Sequence, residues 1–181
     1  MGILDLWLPI LASAALVWIA SALVWTVLPW HRKDYAKLPD EEAARSALKG
    51  LAAGQYMLPY CVEPKELENP ELRRKFEEGP RGYITISPNG VPAMGGKLVK
   101  SFLYNVVVGI FCAYLLTRST MMTDYMSAFR MTATVAFLAY SFANIQESTW
   151  FDRPWSLTLK NMFDALIYAL LTGGVFGWLA V

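Results

Sequence analysis

The chain has 181 residues, of which 55% are hydrophobic, and a formal net charge of +1. One soluble domain of this length does not need so much apolar content, and the apolar residues come in blocks, which excludes an ordinary water-soluble globule. The near-neutral charge gives nucleic acid or an acidic partner no electrostatic foothold.

The first block, 3–28, exceeds the roughly 20 residues that cross a hydrocarbon core. Asp5 precedes its apolar run, while Arg32 and Lys33 follow it. A cleaved signal peptide has the opposite charge order, so this block reads as a retained span. Pro29 and Trp30 end it, and His31-Arg32-Lys33-Asp34-Tyr35 follows. Trp30, His31 and Tyr35 are expected as interfacial belt residues. His31 is the sole histidine, so one chain cannot build a bis-histidine haem site or a multi-histidine metal site.

Residues 31–97 are expected to form a small α+β insert. Pro39-Asp40-Glu41-Glu42 predicts a short helix with Asp40 as N-cap and Gly50 near its stop. Residues 55–61 and 83–87 predict strands, and Asn69-Pro70 opens a second helix that ends at Gly79-Pro80. Gly90-Val91-Pro92-Ala93-Met94-Gly95-Gly96-Lys97 only superficially suggests a phosphate loop. Lys97 comes one residue late, and Leu98 stands where Ser or Thr would bind magnesium, so the stretch reads as a flexible linker. Two strands and two helices bury little on their own, and the insert is expected to lean on the membrane surface or on a partner.

Three further spans are predicted at 98–117, 125–146 and 156–181, giving a division into 1–30, 31–97 and 98–181. Arg130 weakens the third, so three spans plus an interfacial helix is the alternative to four. The expected fold is a membrane all-α bundle of about four transmembrane helices carrying the cytosolic insert. Twelve of the 16 Lys and Arg residues fall between Arg32 and Lys100. The positive-inside bias then predicts a cytosolic insert, external N- and C-termini and an external loop at 118–130. Cys61 in the insert and Cys112 in mid-span cannot pair on this topology, so no disulfide is expected.

Small residues recur every four positions within the spans: Ser101, Asn105, Gly109, Ala113 and Thr117; Ala128, Thr132 and Ala136; and Ala165, Ala169, Gly173 and Gly177. Such faces let helix backbones approach closely. Gly109, Ala113, Ala165, Ala169, Gly173 and Gly177 are therefore candidate packing positions, within one bundle or, at Gly173 and Gly177, against another subunit. On the predicted topology Asn105, Asn144, Glu147, Asn161 and Asp164 share one depth near the cytosolic leaflet. They form either a polar vestibule or a set of side chains that bond one another at helix ends.

The segments Leu28-Pro29-Trp30-His31-Arg32-Lys33-Asp34-Tyr35-Ala36-Lys37-Leu38-Pro39-Asp40-Glu41, Gly54-Gln55-Tyr56-Met57-Leu58-Pro59 and Pro154-Trp155-Ser156-Leu157-Thr158-Leu159-Lys160 through Phe176-Gly177-Trp178 resemble a family of uncharacterised small bacterial four-helix integral membrane proteins. The resemblance implies a bacterial inner-membrane setting and brings no activity and no catalytic residues. No cofactor or metal is expected, and the lipid bilayer is the expected environment.

With no catalytic set and with small-residue faces to pack, the sequence points to a non-catalytic accessory or scaffolding component. It would self-associate or join other membrane subunits. One alternative is a small transporter or channel-like protein using the polar cluster. Another is a lipid-modifying enzyme with His31 as base.

Overall fold

The computed structural model describes residues 2–119 and 124–181; the tip of the predicted 118–130 loop, 120–123, lies outside the described residues. The chain is mostly helical and divides into two compact units, one formed by residues 1–34 with 93–181 and the other by residues 35–92.

In the first unit a 3₁₀ turn, Ile3–Leu6, leads into α1 (Trp7–Thr26). The short insert helices are α2 (Glu41–Leu48) and α3 (Pro70–Glu78), after which come α4 (Met94–Arg118), α5 (Tyr125–Ser141), α6 (Ala143–Trp150) and α7 (Trp155–Leu179). Ile3–Thr26, α4 and α7 are long and apolar enough to cross a membrane. Their outward faces carry exposed Leu11, Ile19, Leu23, Leu103, Phe111 and Leu170. An apolar surface this extensive suits lipid rather than water.

Several boundaries differ from the sequence reading, among them the strand expected over 55–61, which ends at Leu58. Gly95 and Gly96 lie in the first turn of α4, not in a flexible linker, because the apolar run behind them continues the helix. The predicted span 125–146 stops at Ser141 and resumes as α6 after Phe142. There the Asn144 amide donates to the carbonyls of Ser141 and Tyr140 at 3.1 and 3.4 Å, satisfying groups at the end of α5 that a continuous helix would bond through its backbone. Residues 31–34, assigned above to the insert, fold with the helical unit instead.

Helices α1, α4, α5 and α7 pack as a ring in which α1 contacts α4 and α7, and α5 contacts the same two. The dry core lies at one end, where Leu6 and Ile10 meet Val108, Cys112, Ala113 and Leu116, then Ala128, Ala136, Ala169 and Phe176. Small residues set its spacing. A Cβ on Gly173 would stand 2.8 Å from Ala133 Cβ and 2.9 Å from the Phe129 carbonyl oxygen. One on Gly177 would meet the Tyr125 ring at 2.9 Å, and one on Gly109 would press on Ile10 at 3.2 Å. Ala113, Ala165 and Ala169 are buried in the same seams. All six predicted packing positions are therefore occupied within the chain, and the Gly173–Gly177 face belongs to α5.

The second unit pairs β1 (Gly54–Leu58) with β2 (Gly82–Ile86) in an antiparallel ribbon, with Tyr56 opposite Ile84. Asp40 caps α2 through the Ala43 amide, and Asn69 caps α3 through those of Glu71 and Leu72. Of its residues only Pro59 is buried, so the ribbon and two helices enclose almost no core.

Candidate functional site

The end of the ring opposite the dry core is polar, and its arrangement begins with a turn. After α1 stops at Thr26, Pro29–His31 forms a 3₁₀ turn, and the Arg32 and Asp34 amides bond back to the Pro29 and His31 carbonyls, both at 3.1 Å. This turn folds His31 under the end of α1, where its ring stacks on Trp25 at 4.0 Å with an interplanar angle of 9°. Trp30 meets the imidazole edge-on from another side at 6.2 Å. His31 is only 6% exposed. It is therefore buried in the protein, with Trp25 and Trp30 against its ring. Tyr35, by contrast, is exposed at the start of the insert, and Trp30 is half-buried.

Both imidazole nitrogens face carboxylates. Nδ1 lies 2.6 Å from Asp34 Oδ2, and Nε2 lies 2.8 Å from Asp164 Oδ2. An ionised carboxylate only accepts. Two such contacts to one imidazole thus require a hydrogen in each: either the ring carries both, or one carboxyl supplies the second. The trio holds one proton more than a neutral ring flanked by two carboxylates. Lys160, one helical turn before Asp164 on the same face of α7, donates to Asp34 Oδ1 at 2.5 Å and to the Trp30 carbonyl at 2.7 Å. That Lys160 hydrogen bond holds the Asp34 carboxyl below the usual carboxylate range; burial opposes the shift and His31 reinforces it. Lys160, Asp34, protonated His31 and Asp164 together sum to zero charge.

Asp164 is 3% exposed. Among the described residues its Oδ1 has no hydrogen-bond partner, nor have the neighbouring Trp30 indole nitrogen and Tyr168 hydroxyl. The Trp30 indole and the Asp164 carboxylate attract each other at longer range than a hydrogen bond. A buried charged oxygen left without a partner costs about 1–3 kcal/mol or more, which marks this position for something other than packing.

Asp164 lines a cavity of about 310 Å³ among the four ring helices, walled by Val17, Ser21 and Trp25 of α1, Tyr104 and Asn105 of α4, Tyr140 of α5, and Asn161 and Tyr168 of α7. Asn144 of α6 closes it and accepts from the Asn161 amide at 2.9 Å. Of the predicted polar cluster, Asn105, Asn144, Asn161 and Asp164 thus meet around one space. Glu147 does not join them: one turn beyond Asn144 on α6, it points outward and is exposed.

Compared with models of known families, with curated proteins and with solved structures, the chain matches none. The site must be read from its own chemistry. Among the described residues no three His, Cys, Asp or Glu side chains are grouped so as to hold a metal ion. What the geometry provides is a proton held between Asp34, His31 and Asp164, next to a cavity lined by aromatic and amide side chains inside an apolar bundle.

The sequence singles out Asp164 and His31 separately but hides their contact, which joins residues 133 apart. Lys160 and Asp34 are absent from the sequence-derived candidates altogether. A usable signal for them exists: Lys160 and Asp164 sit four apart in an apolar segment, and intramembrane charges of that kind seek partners.

Proposed function

We propose that the chain is a small multi-pass transporter in which the Asp34–His31–Asp164 relay loads and unloads a proton at the cavity. The observation that carries this reading is the imidazole bridging two carboxylates, one of which belongs to a cavity-lining residue whose second oxygen has no hydrogen-bond partner among the described residues. Intramembrane ionisable groups in a protein-lined space are typical of proton and solute paths. The scaffold alternative rests on a glycine face for other subunits, and α5 already fills that face.

The setting proposed is a bacterial inner membrane crossed four times, by α1, α4, α5 and α7. At 17 residues α5 is about 25 Å long, short for a lone span, and Arg130 in its second turn can reach toward the interface. The Lys and Arg bias argues for a cytosolic insert, so Asp34 would stand at the cytosolic interface and Asp164 deeper in the bundle.

A substrate-free measurement tests the relay. Protein adsorbed in membranes on a solid support should give a transient current when the pH is stepped, because loading Asp164 moves charge. Asp164→Asn should abolish that current while retaining native helicity. Equal currents in the two proteins would refute the relay.

A further inference from the structure

Several donors around the cavity are engaged within the chain: Tyr104 O–H on the Ala139 carbonyl at 2.7 Å, Ser21 O–H on the Trp18 carbonyl at 2.8 Å, and the Asn105 amide on the Ala14 carbonyl at 3.5 Å. The Asn144 amide serves the end of α5, the Asn161 amide serves Asn144, and His31 Nε2 and Asp164 Oδ2 share one hydrogen. Among the described residues, Asp164 Oδ1 and the Tyr168 hydroxyl have no hydrogen-bond partner, and both can accept. Tyr168 is near enough to Asp164 to feel its charge. Around these acceptors stand the rings of Tyr104, Tyr140 and Tyr168, adjacent pairs of which meet edge-to-face at 5.7 and 5.9 Å. A space offering acceptors, a carboxylate oxygen and aromatic faces is complementary to a cation rich in N–H groups. Its volume of about 310 Å³ is at the small end for ligand sites.

We infer that the cavity binds a small primary ammonium compound at Asp164 Oδ1, in exchange for the proton of the His31–Asp164 contact. This rests on the relay reading and adds the ligand class to it. The charges enforce the exchange. With its proton, the set of Lys160, Asp34, His31 and Asp164 is neutral, so an added ammonium would leave a net positive charge inside the bundle. Release of that proton to solvent as the ammonium enters restores neutrality: one cation in, one proton out. The titratable groups in play are those four and the Tyr168 hydroxyl.

The test uses the full chain in nanodiscs with ethylammonium chloride as probe, followed by calorimetry and by a pH dye in weak buffer. Ethylammonium should bind saturably and release one proton per site. Its affinity should fall about tenfold per unit of pH decrease where the relay is protonated, as one-proton linkage requires. 1-Propanol and acetate should bind at least tenfold more weakly. Asp164→Asn should lose the proton release. Tyr168→Phe, which keeps the ring and guards against a folding artefact at Asp164, should bind several-fold more weakly with its proton release intact. Absence of ethylammonium binding, equal binding of 1-propanol or acetate, or binding without proton release would each overturn the inference. A pH-step current with no ethylammonium binding defeats the ligand class and leaves the relay standing. Binding without that current defeats the relay, and absence of both defeats the two together.

Discussion

The two ends of α7 lie on one helix and do opposite work. Its C-terminal half carries Ala169, Gly173 and Gly177 into a seam where α5 comes within van der Waals contact of the backbone, leaving no room for a larger side chain at either glycine. Its N-terminal half carries Thr158, Lys160, Asn161 and Asp164, each bonded to another segment, and Asn161 and Asp164 line the cavity. In the first half, shape complementarity fixes the fold. In the second, hydrogen bonds and charge tie the helix to other segments. Packing and site are thus separated along a single helix, and substitutions at the two ends should fail in different ways.

The largest effect is expected at the dry end. Gly173→Leu must displace the Phe129 carbonyl and Ala133, both of which lie under 3 Å from where a Cβ would stand, and overpacking of this kind costs about 3 kcal/mol or more. Thermal unfolding followed by circular dichroism in detergent should show it, with loss of the native transition as the expected extreme. At the polar end Lys160→Met removes the donor to Asp34 and to the Trp30 carbonyl, with an expected cost of about 1–3 kcal/mol. This loss should depend on pH. Because the folded Asp34 carboxyl titrates below its unfolded value of about 3.9, the pair's contribution is fully present above that value. It disappears as the pH falls through the lower folded one, so wild type and Lys160→Met should converge in acid. Tyr104→Phe frees the Ala139 carbonyl and should cost about 1 kcal/mol, measured in the same unfolding experiment. The smallest effect is expected at Gly174, between the two tight glycines but with nothing within 4 Å of a Cβ. Gly174→Ala should be neutral or stabilising by up to about 1 kcal/mol.

The same contrast explains what the sequence reveals. Periodicity of small residues is a local property of one helix, so the seams at Gly109, Ala113, Ala165, Ala169, Gly173 and Gly177 are legible, although which helix fills them is not. Caps at Asp40 and Asn69 act on the next three residues and are equally legible. The break after Ser141 is not, because it depends on the Asn144 side chain serving the end of α5 in place of the backbone. The site is the least legible part. Asn105, Asn144, Asn161 and Asp164 can be grouped by depth alone, but depth is blind to direction and so does not separate the outward Glu147 from them. The aromatic neighbours of His31 suggest a belt residue and say nothing of the 3₁₀ turn at Pro29, which carries it inward to a carboxylate on a helix far away in the sequence.

The central claim is the proton shared among Asp34, His31 and Asp164, and the composition offers a direct view of it. With one histidine in the chain, selective ¹⁵N labelling of histidine gives a solid-state NMR spectrum of that ring alone, in lipid bilayers at neutral pH. Both nitrogens should show a bonded or strongly hydrogen-bonded hydrogen, and the Nε2 signal should move in Asp164→Asn while Nδ1 moves less. A spectrum in which one ring nitrogen is bare, with neither its own hydrogen nor a hydrogen bond, would contradict the relay and the function built on it.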